Sequence, residues 1–293
     1  MGADLRQPAL TTPRPGGDGG AGDVGGAGDA GDVGGAGDAG DAGGVGGVGG
    51  AGDFGAVGAR LRALVRRRLP AAAAGLRFLR TLPLRWRTAE RVFTAIHRHN
   101  AWQGEESASG PGSSLAATAA LRQELPRLLR DLHCAALLDA PCGDLWWLKE
   151  MTLPVASYCG IDIVEEVVAA NRRRHAAPGR SFLRLDVRHD PLPQADLVLC
   201  RDCLVHLSFR DALATLANFR ASGAAWLLTT TFPALRHNRE AVTGEWRPLN
   251  LELPPFSLPR PSILLNERCP EQGDTYADKS LGLWRLSDLP PAL

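Results

Sequence analysis

The sequence predicts an alternating α/β domain, a mostly parallel sheet covered by helices on both faces, behind a front segment with little capacity to fold. Three observations carry this. Short apolar runs at residues 134–140, 157–161, 182–185, 197–200 and 224–231 show no polar alternation, as strands buried on both faces require. Helical spacing separates or follows them, at residues 164–175 and 209–220, which is the βαβ rhythm of a parallel sheet. Composition also breaks sharply along the chain. Of 34 glycines, 23 lie in residues 1–60, and formal charge runs −5 over 1–60, +9 over 61–100 and −3 beyond.

Taken in chain order, residues 1–58 form a Gly-, Ala- and Asp-rich segment that over 16–58 repeats variants of Gly-Gly-Ala-Gly-Asp. Such text has almost no side-chain surface to bury against a large backbone entropy, so disorder is expected. It is no phosphate loop, lacking the flanking strand and helix that aim glycine amides. Residues 59–86 are rich in Arg and read as a basic, partly helical linker, with membrane-surface contact through 60–87 as a lesser option. Residues 87–293 make the folded domain. A helical cap opens it: apolar residues at helical spacing in 89–96, a small polar stretch over 100–114, then a helix over 118–132 with Leu121, Leu125, Leu128, Leu129 and Leu132 on one face. The strands and helices follow, and a proline-rich loop spans 233–261. Runs at 262–266 and 281–286 then close a seven-stranded sheet, the last strand antiparallel.

Several classes are excluded or disfavoured. No run of 18 apolar residues suggests a membrane-spanning helix. The folded part is slightly acidic and gives no basic footprint, so no nucleic-acid partner is expected. Six cysteines, two of them inside apolar runs (Cys134, Cys200), do not resemble a secreted disulfide scaffold, and a cytoplasmic location is expected. Cys200-Arg-Asp-Cys203 has no matching second pair, so no metal is expected.

The candidate chemistry sits at strand ends, where open α/β sheets collect ligands. Asp139-Ala-Pro-Cys-Gly-Asp144 follows the first run. Gly143 allows close backbone approach, and Asp139 can balance a ligand cation or serve a tight turn. Asp162 ends the second run, suited either to ribose hydroxyls or to capping the next helix. Asp186 offers an acceptor at the third edge. Together they indicate a nucleoside cofactor. Neither G-x-G-x-x-G nor a Walker loop is present, so a cofactor with ribose and adenine but no pyrophosphate fits best. Asp202 and His206 follow the fourth run as candidates to orient an acceptor and accept its proton, with capping and a core-edge histidine as alternatives. His206 at its ordinary pKa would titrate near neutrality.

On these motifs the domain resembles a class I S-adenosylmethionine-dependent methyltransferase. The likeness rests on Leu-Asp-Ala-Pro-Cys-Gly-Asp, Gly-Ile-Asp, Cys-Arg-Asp-Cys-Leu-Val-His-Leu and Leu-Leu-Thr-Thr-Thr-Phe, and runs from about residue 91 to the end. It implies a Rossmann-like fold and S-adenosylmethionine as cofactor. It implies Asp139, Cys142 and Gly143 around the methionine part, Asp162 on the ribose and Ile163 beside the adenine. Asp186 and Val187 would meet the adenine edge, and Cys200 and Arg201 would lie beneath the sulfonium. Proline stands at the family's first loop glycine (Pro141) and leucine at its last (Leu145). The expected acceptor is a small molecule or glycan, with Trp102, Glu106, Trp246, Arg247, Asn250 and Phe256 as candidate contacts. A binding or sensing module without catalysis and an NAD-linked oxidoreductase are the alternative readings.

Overall fold

The computed structural model describes residues 81–269 and 273–291, together with residue 75. The expectations for residues 1–58 and for most of the basic segment fall outside the described residues.

Seven strands form one sheet: β1 (Ala136–Asp139), β2 (Ser157–Asp162), β3 (Arg180–Arg184), β4 (Leu197–Cys200), β5 (Trp226–Thr231), β6 (Ile263–Asn266) and β7 (Ser280–Arg285). Their spatial order is β3-β2-β1-β4-β5-β7-β6. The first five pair in parallel, whereas β7 runs antiparallel to both β5 and β6. This is the Rossmann-like sheet that the sequence predicts, and the reversed strand is the last in the chain but the penultimate in space. The order turns from β1 to β4 at the centre, so the carboxyl ends of β1, β2 and β4 open on one crevice.

The pleat divides the core in two. Leu138, Ile161, Val198, Leu227 and Trp284 face one side, against Ala212, Leu216 and Phe219 of the helix Phe209–Ala221 (α4). Leu137, Tyr158, Leu197, Leu228 and Leu283 face the other. There they meet Leu121, Leu125, Leu128 and Leu129 of Ala119–Asp131 (α2) and Val168 of Glu165–His175 (α3). Each fully buried leucine contributes roughly 1.5–3 kcal/mol.

Caps fix where two helices begin. Thr88 accepts from Arg91 N at the start of Ala89–Arg98 (α1), and Ser208 accepts from Asp211 N at the start of α4. Ser208 thus fills the capping role that was open to Asp202. Between α1 and α2 the chain folds over the crevice. Asn100 closes a turn by accepting from Gly104 N and donating to Gly104 O, at 3.1 and 2.9 Å.

Candidate active site

The loop after β1 is pinned from three sides. Gly143 N donates to Asp162 Oδ2 at 3.2 Å, and Asn171 Nδ2 of α3 donates to Gly143 O at 2.7 Å. Gly143 itself has φ 54°, and a Cβ there would lie 2.6 Å from Ser109 Oγ, so glycine is required. Leu145 keeps the left-handed backbone (φ 59°) without being glycine and is fully buried. Packing supports a conformation that leucine alone disfavours.

Asp144 anchors the covering loop. Ser107 Oγ donates to its carboxylate at 2.8 and 2.9 Å, and Ala108 N donates at 3.2 Å. Glu106 sits outside: its exposed carboxylate accepts from Leu115 N (3.0 Å) and Trp146 Nε1 (2.8 Å). The Leu115 amide foremost, then the indole, holds its pKa below the usual value. Glu106 therefore braces the loop and does not line the cavity, against the expectation of substrate contact.

Under this loop lies one cavity lined by Asp139, Cys142, Gly143, Asp162, Ile163, Asp186, Val187, Arg201, Asp202, His206 and Trp102. The strand-end acids, the two candidate catalytic groups and one aromatic are thus brought together. Cys200 does not line it; the side chain is buried in the core beneath.

The acids differ in state. Asp139 is buried and accepts from Tyr158 Oη at 2.7 Å. Burial outweighs that bond and raises its pKa to about 7. Asp162 accepts from Val164 N at 2.9 Å as well as from Gly143 N, so it does serve the start of α3 while also lining the cavity. Burial raises its pKa against the pull of those two amides. Asp186 is gripped by Arg188 (Nε to Oδ1, 2.9 Å), and although burial alone would raise its carboxyl, that partner holds it low.

At the end of β4, Arg201, Glu267 and Lys279, all buried, form a quartet with the partly exposed Asp202. Arg201 grips Glu267 with Nε (3.1 Å) and Nη2 (2.7 Å), and Nη2 also donates to Gly112 O of the covering loop at 2.7 Å. Lys279 Nζ lies 2.6 Å from Asp202 Oδ2 and 3.4 Å from Glu267 Oε2. Burial alone would raise the Asp202 carboxyl, but the Lys279 and Arg201 charges hold it at about 2. Asp202 has φ 50°, a strained position at the cavity wall. His206 is nine-tenths buried and stacks on Trp102, ring centroids 4.4 Å apart. Burial foremost pushes its pKa to about 4, so the ring is neutral at pH 7 and not poised near neutrality as its ordinary value suggested. Its Nδ1 has no hydrogen-bond partner among the described residues.

The proline-rich loop does not deliver the expected acceptor contacts. Arg247 is fully buried and donates to Leu204 O (2.9 Å) and Arg239 O (3.2 Å). Asn250 donates to Pro233 O and Leu235 O, both at 3.1 Å. Phe256 packs edge-on against Phe209 in the core. Trp246 packs on Phe232 and Tyr276. None of these four lines the cavity. They hold the loop to the sheet because a backbone that leaves regular structure must satisfy its carbonyls internally. Of the two tryptophans that follow the loop, one expected in the core and the other beside the site, Trp147 lines the cavity and packs beneath it. Sequence reasoning missed Ser109, which lines the cavity beside Gly143, and Glu267 and Lys279, which complete the quartet. Only Ser109 lay near a motif.

Residues 138–224 match a family model described as a methyltransferase domain. These residues thus resemble a methyltransferase domain in sequence, and the strand-end acids Asp139, Asp162 and Asp186 fall within the matched stretch. No curated protein matches the chain. Among solved structures, human N-acetylserotonin methyltransferase in complex with SAM is similar at 17% identity over 68% of this chain and 60% of that one, TM-score 0.49. An amino pentose methyltransferase from Micromonospora echinaspora is similar at 23% identity over 37% and 48%, TM-score 0.33. Magnesium protoporphyrin IX methyltransferase from Synechocystis is similar at 18% identity over 40% and 58%, TM-score 0.33. The chain spans less than two thirds of the length of each. Among the described residues, no helix is long and apolar enough to cross a membrane.

Proposed function

We propose that the chain transfers a methyl group from S-adenosylmethionine to a small-molecule or glycan acceptor inside this cavity. One observation supports the reading most: Asp139, Asp162 and Asp186 line the same covered cavity as Asp202 and His206. In this reading Asp139 balances the cofactor's ammonium, with Cys142 and Gly143 alongside. Asp162 receives ribose hydroxyls beside Ile163, and Asp186 and Val187 border the adenine. Arg201 shapes the floor below the reacting carbon. His206 and Asp202 face the acceptor side, and Trp102 closes over it. The cofactor supplies an electrophilic methyl on sulfur; the chain supplies alignment, dry surroundings and an acceptor for a proton. A cavity covered by residues 100–114 suits a small acceptor, or the end of a glycan, better than a folded macromolecule.

The test is calorimetric titration of the full chain with S-adenosylmethionine, S-adenosylhomocysteine and NAD, followed by incubation with labelled methyl donor and a fractionated metabolite extract. Micromolar binding of the first two and a labelled product are expected. Tighter NAD binding overturns the cofactor assignment, and cofactor binding without any labelled product favours a sensing module.

A further inference from the structure

A second surface, apart from the cavity, combines an exposed aromatic with positive charge. Trp86 is 85% exposed, the most exposed large apolar side chain among the described residues, and Leu82, four positions earlier, is 37% exposed. Arg85 and Arg87 flank Trp86 in sequence and line a surface hollow with Arg210, whose side chain is 92% exposed at the start of α4. None of these residues lines the cavity. The acids of the hollow are committed inward. Asp211 lies 3.2 Å from Arg188 and accepts from Thr243 Oγ1 at 2.6 Å. Glu240 accepts from Phe209 N at 2.9 Å and from Ala241 N at 2.8 Å. The sequence leading into this surface has the same character. Residues 59–87 carry nine Arg and no Asp or Glu, together with seven Leu, Val65, Phe78 and Trp86.

We infer that Trp86, Arg85, Arg87 and Arg210, with the basic segment that leads into them, seat the chain on an anionic lipid bilayer. A single exposed tryptophan needs no explanation; one set among arginines, at the end of an acid-free segment, does. Its indole has an apolar body and a polar N–H, which suits the boundary between headgroups and acyl chains. Arginine stems lie along apolar surface while their guanidinium groups reach lipid phosphates. Attachment to a bilayer grows with both apolar insertion and attraction to anionic headgroups, and this surface offers both. RNA would draw on the same arginines and stack its bases on aromatics, but it would gain nothing from aliphatic side chains. Eight of the ten large apolar residues in 59–87 are Leu or Val, which favours the bilayer. This inference stands apart from the proposed function, since it uses no residue of the cavity.

Flotation of the full chain with lipid vesicles tests it. Vesicles of phosphatidylcholine alone are compared with vesicles in which about a third of the lipid is phosphatidylserine, and binding to the second is expected to be about tenfold tighter or more. Raising salt from about 0.1 M to about 1 M shortens the screening length from about 10 Å to about 3 Å and should release most of the bound chain. Trp86→Ser and the double variant Arg85→Gln/Arg87→Gln should each weaken binding to the anionic vesicles by about tenfold. All three side chains are exposed, so melting temperature should stay at the parent value in both variants. Equal binding to the two vesicle types, or to neither, overturns the inference. So does an unaltered vesicle affinity in either variant. Tighter binding of a single-stranded RNA oligonucleotide than of the anionic vesicles overturns it in favour of a nucleic-acid partner.

Discussion

Replacing Asp139 with Asn should stabilise the empty protein and cripple its cofactor site. The carboxyl is buried, and its pKa stands at about 7 against an ordinary 3.8. A carboxyl raised in the folded state binds a proton that the unfolded chain has already lost. Its stabilising share is complete below about pH 4 and disappears as pH climbs from there to 7. At about 1.4 kcal/mol per pH unit, the gap amounts to about 4 kcal/mol at pH 8, an upper bound because the surroundings relax. Asn cannot ionise, and its amide oxygen still accepts from Tyr158 Oη, which now lies 2.7 Å from Oδ2. The variant should therefore melt well above the parent at pH 8, by roughly 8–15 °C at about 2–4 °C per kcal/mol, and the two should converge toward pH 4. The difference isolates Asp139, since His206 and Asp202 titrate alike in both proteins. Binding should move the other way. A ligand ammonium needs the ionised carboxylate, so parent affinity for S-adenosylhomocysteine should fall about tenfold per pH unit below 7, while the variant binds weakly at every pH. Calorimetry and melting scans over pH 4–9 measure both. Equal melting temperatures at pH 8 would refute the buried-carboxylate argument, and undiminished affinity in Asp139→Asn would refute its contact with the cofactor.

Three further outcomes are expected. Glu267→Gln removes one negative charge from the quartet and leaves Arg201 and Lys279 facing Asp202 alone, which should cost about 3–5 kcal/mol in urea unfolding; a loss under about 1 kcal/mol would mean that water reaches the quartet. Asp144→Ala frees Ser107 and Ala108 from their anchor, so amide exchange over residues 107–110 should quicken and cofactor affinity drop about tenfold, and unchanged exchange would show that the covering loop is held elsewhere. With His206 at about 4, its ring is neutral throughout pH 5.5–9, so turnover at saturating donor should be flat across that window and decline only toward pH 4; an inflection near 6.5 that disappears in His206→Ala would restore an ordinary histidine.

The sheet was legible because unalternating apolar runs have one economical solution, burial on both faces, and their polar ends then fall together without further information. Asp139, Asp162, Asp186, Asp202 and His206 all reach the cavity for that reason. What failed was the proline-rich loop. A loop arginine that turns inward to backbone carbonyls, as Arg247 does to Leu204 and Arg239, reads identically to one facing a substrate. Partner choice over long separations was equally hidden: Glu267 lies 66 positions from Arg201, and Lys279 lies 77 from Asp202. Only the hairpin of β6 and β7 brings them to the end of β4.

The quartet also separates the two groups that follow β4. Asp202 is committed to Lys279 and Arg201, and a carboxylate held at about 2 makes a feeble base. It fixes the cavity wall, and in the proposed function it would place a negative charge near the reacting centre. His206 is also a weak base at about 4, and its ring is neutral. Such a base cannot ionise a hydroxyl before attack. It has no need to, because an oxygen that has gained a methyl group while keeping its proton is a far stronger acid than the starting hydroxyl. In the proposed reaction on a hydroxyl acceptor, proton transfer would then run downhill late, and alignment of oxygen, carbon and sulfur would set the barrier. Loss of the imidazole should accordingly slow turnover modestly, whereas loosening the covering loop that Arg201 holds through Gly112 O should slow it more. Under the proposed function, that ordering would place catalysis chiefly in the geometry of the covering loop and the cavity floor.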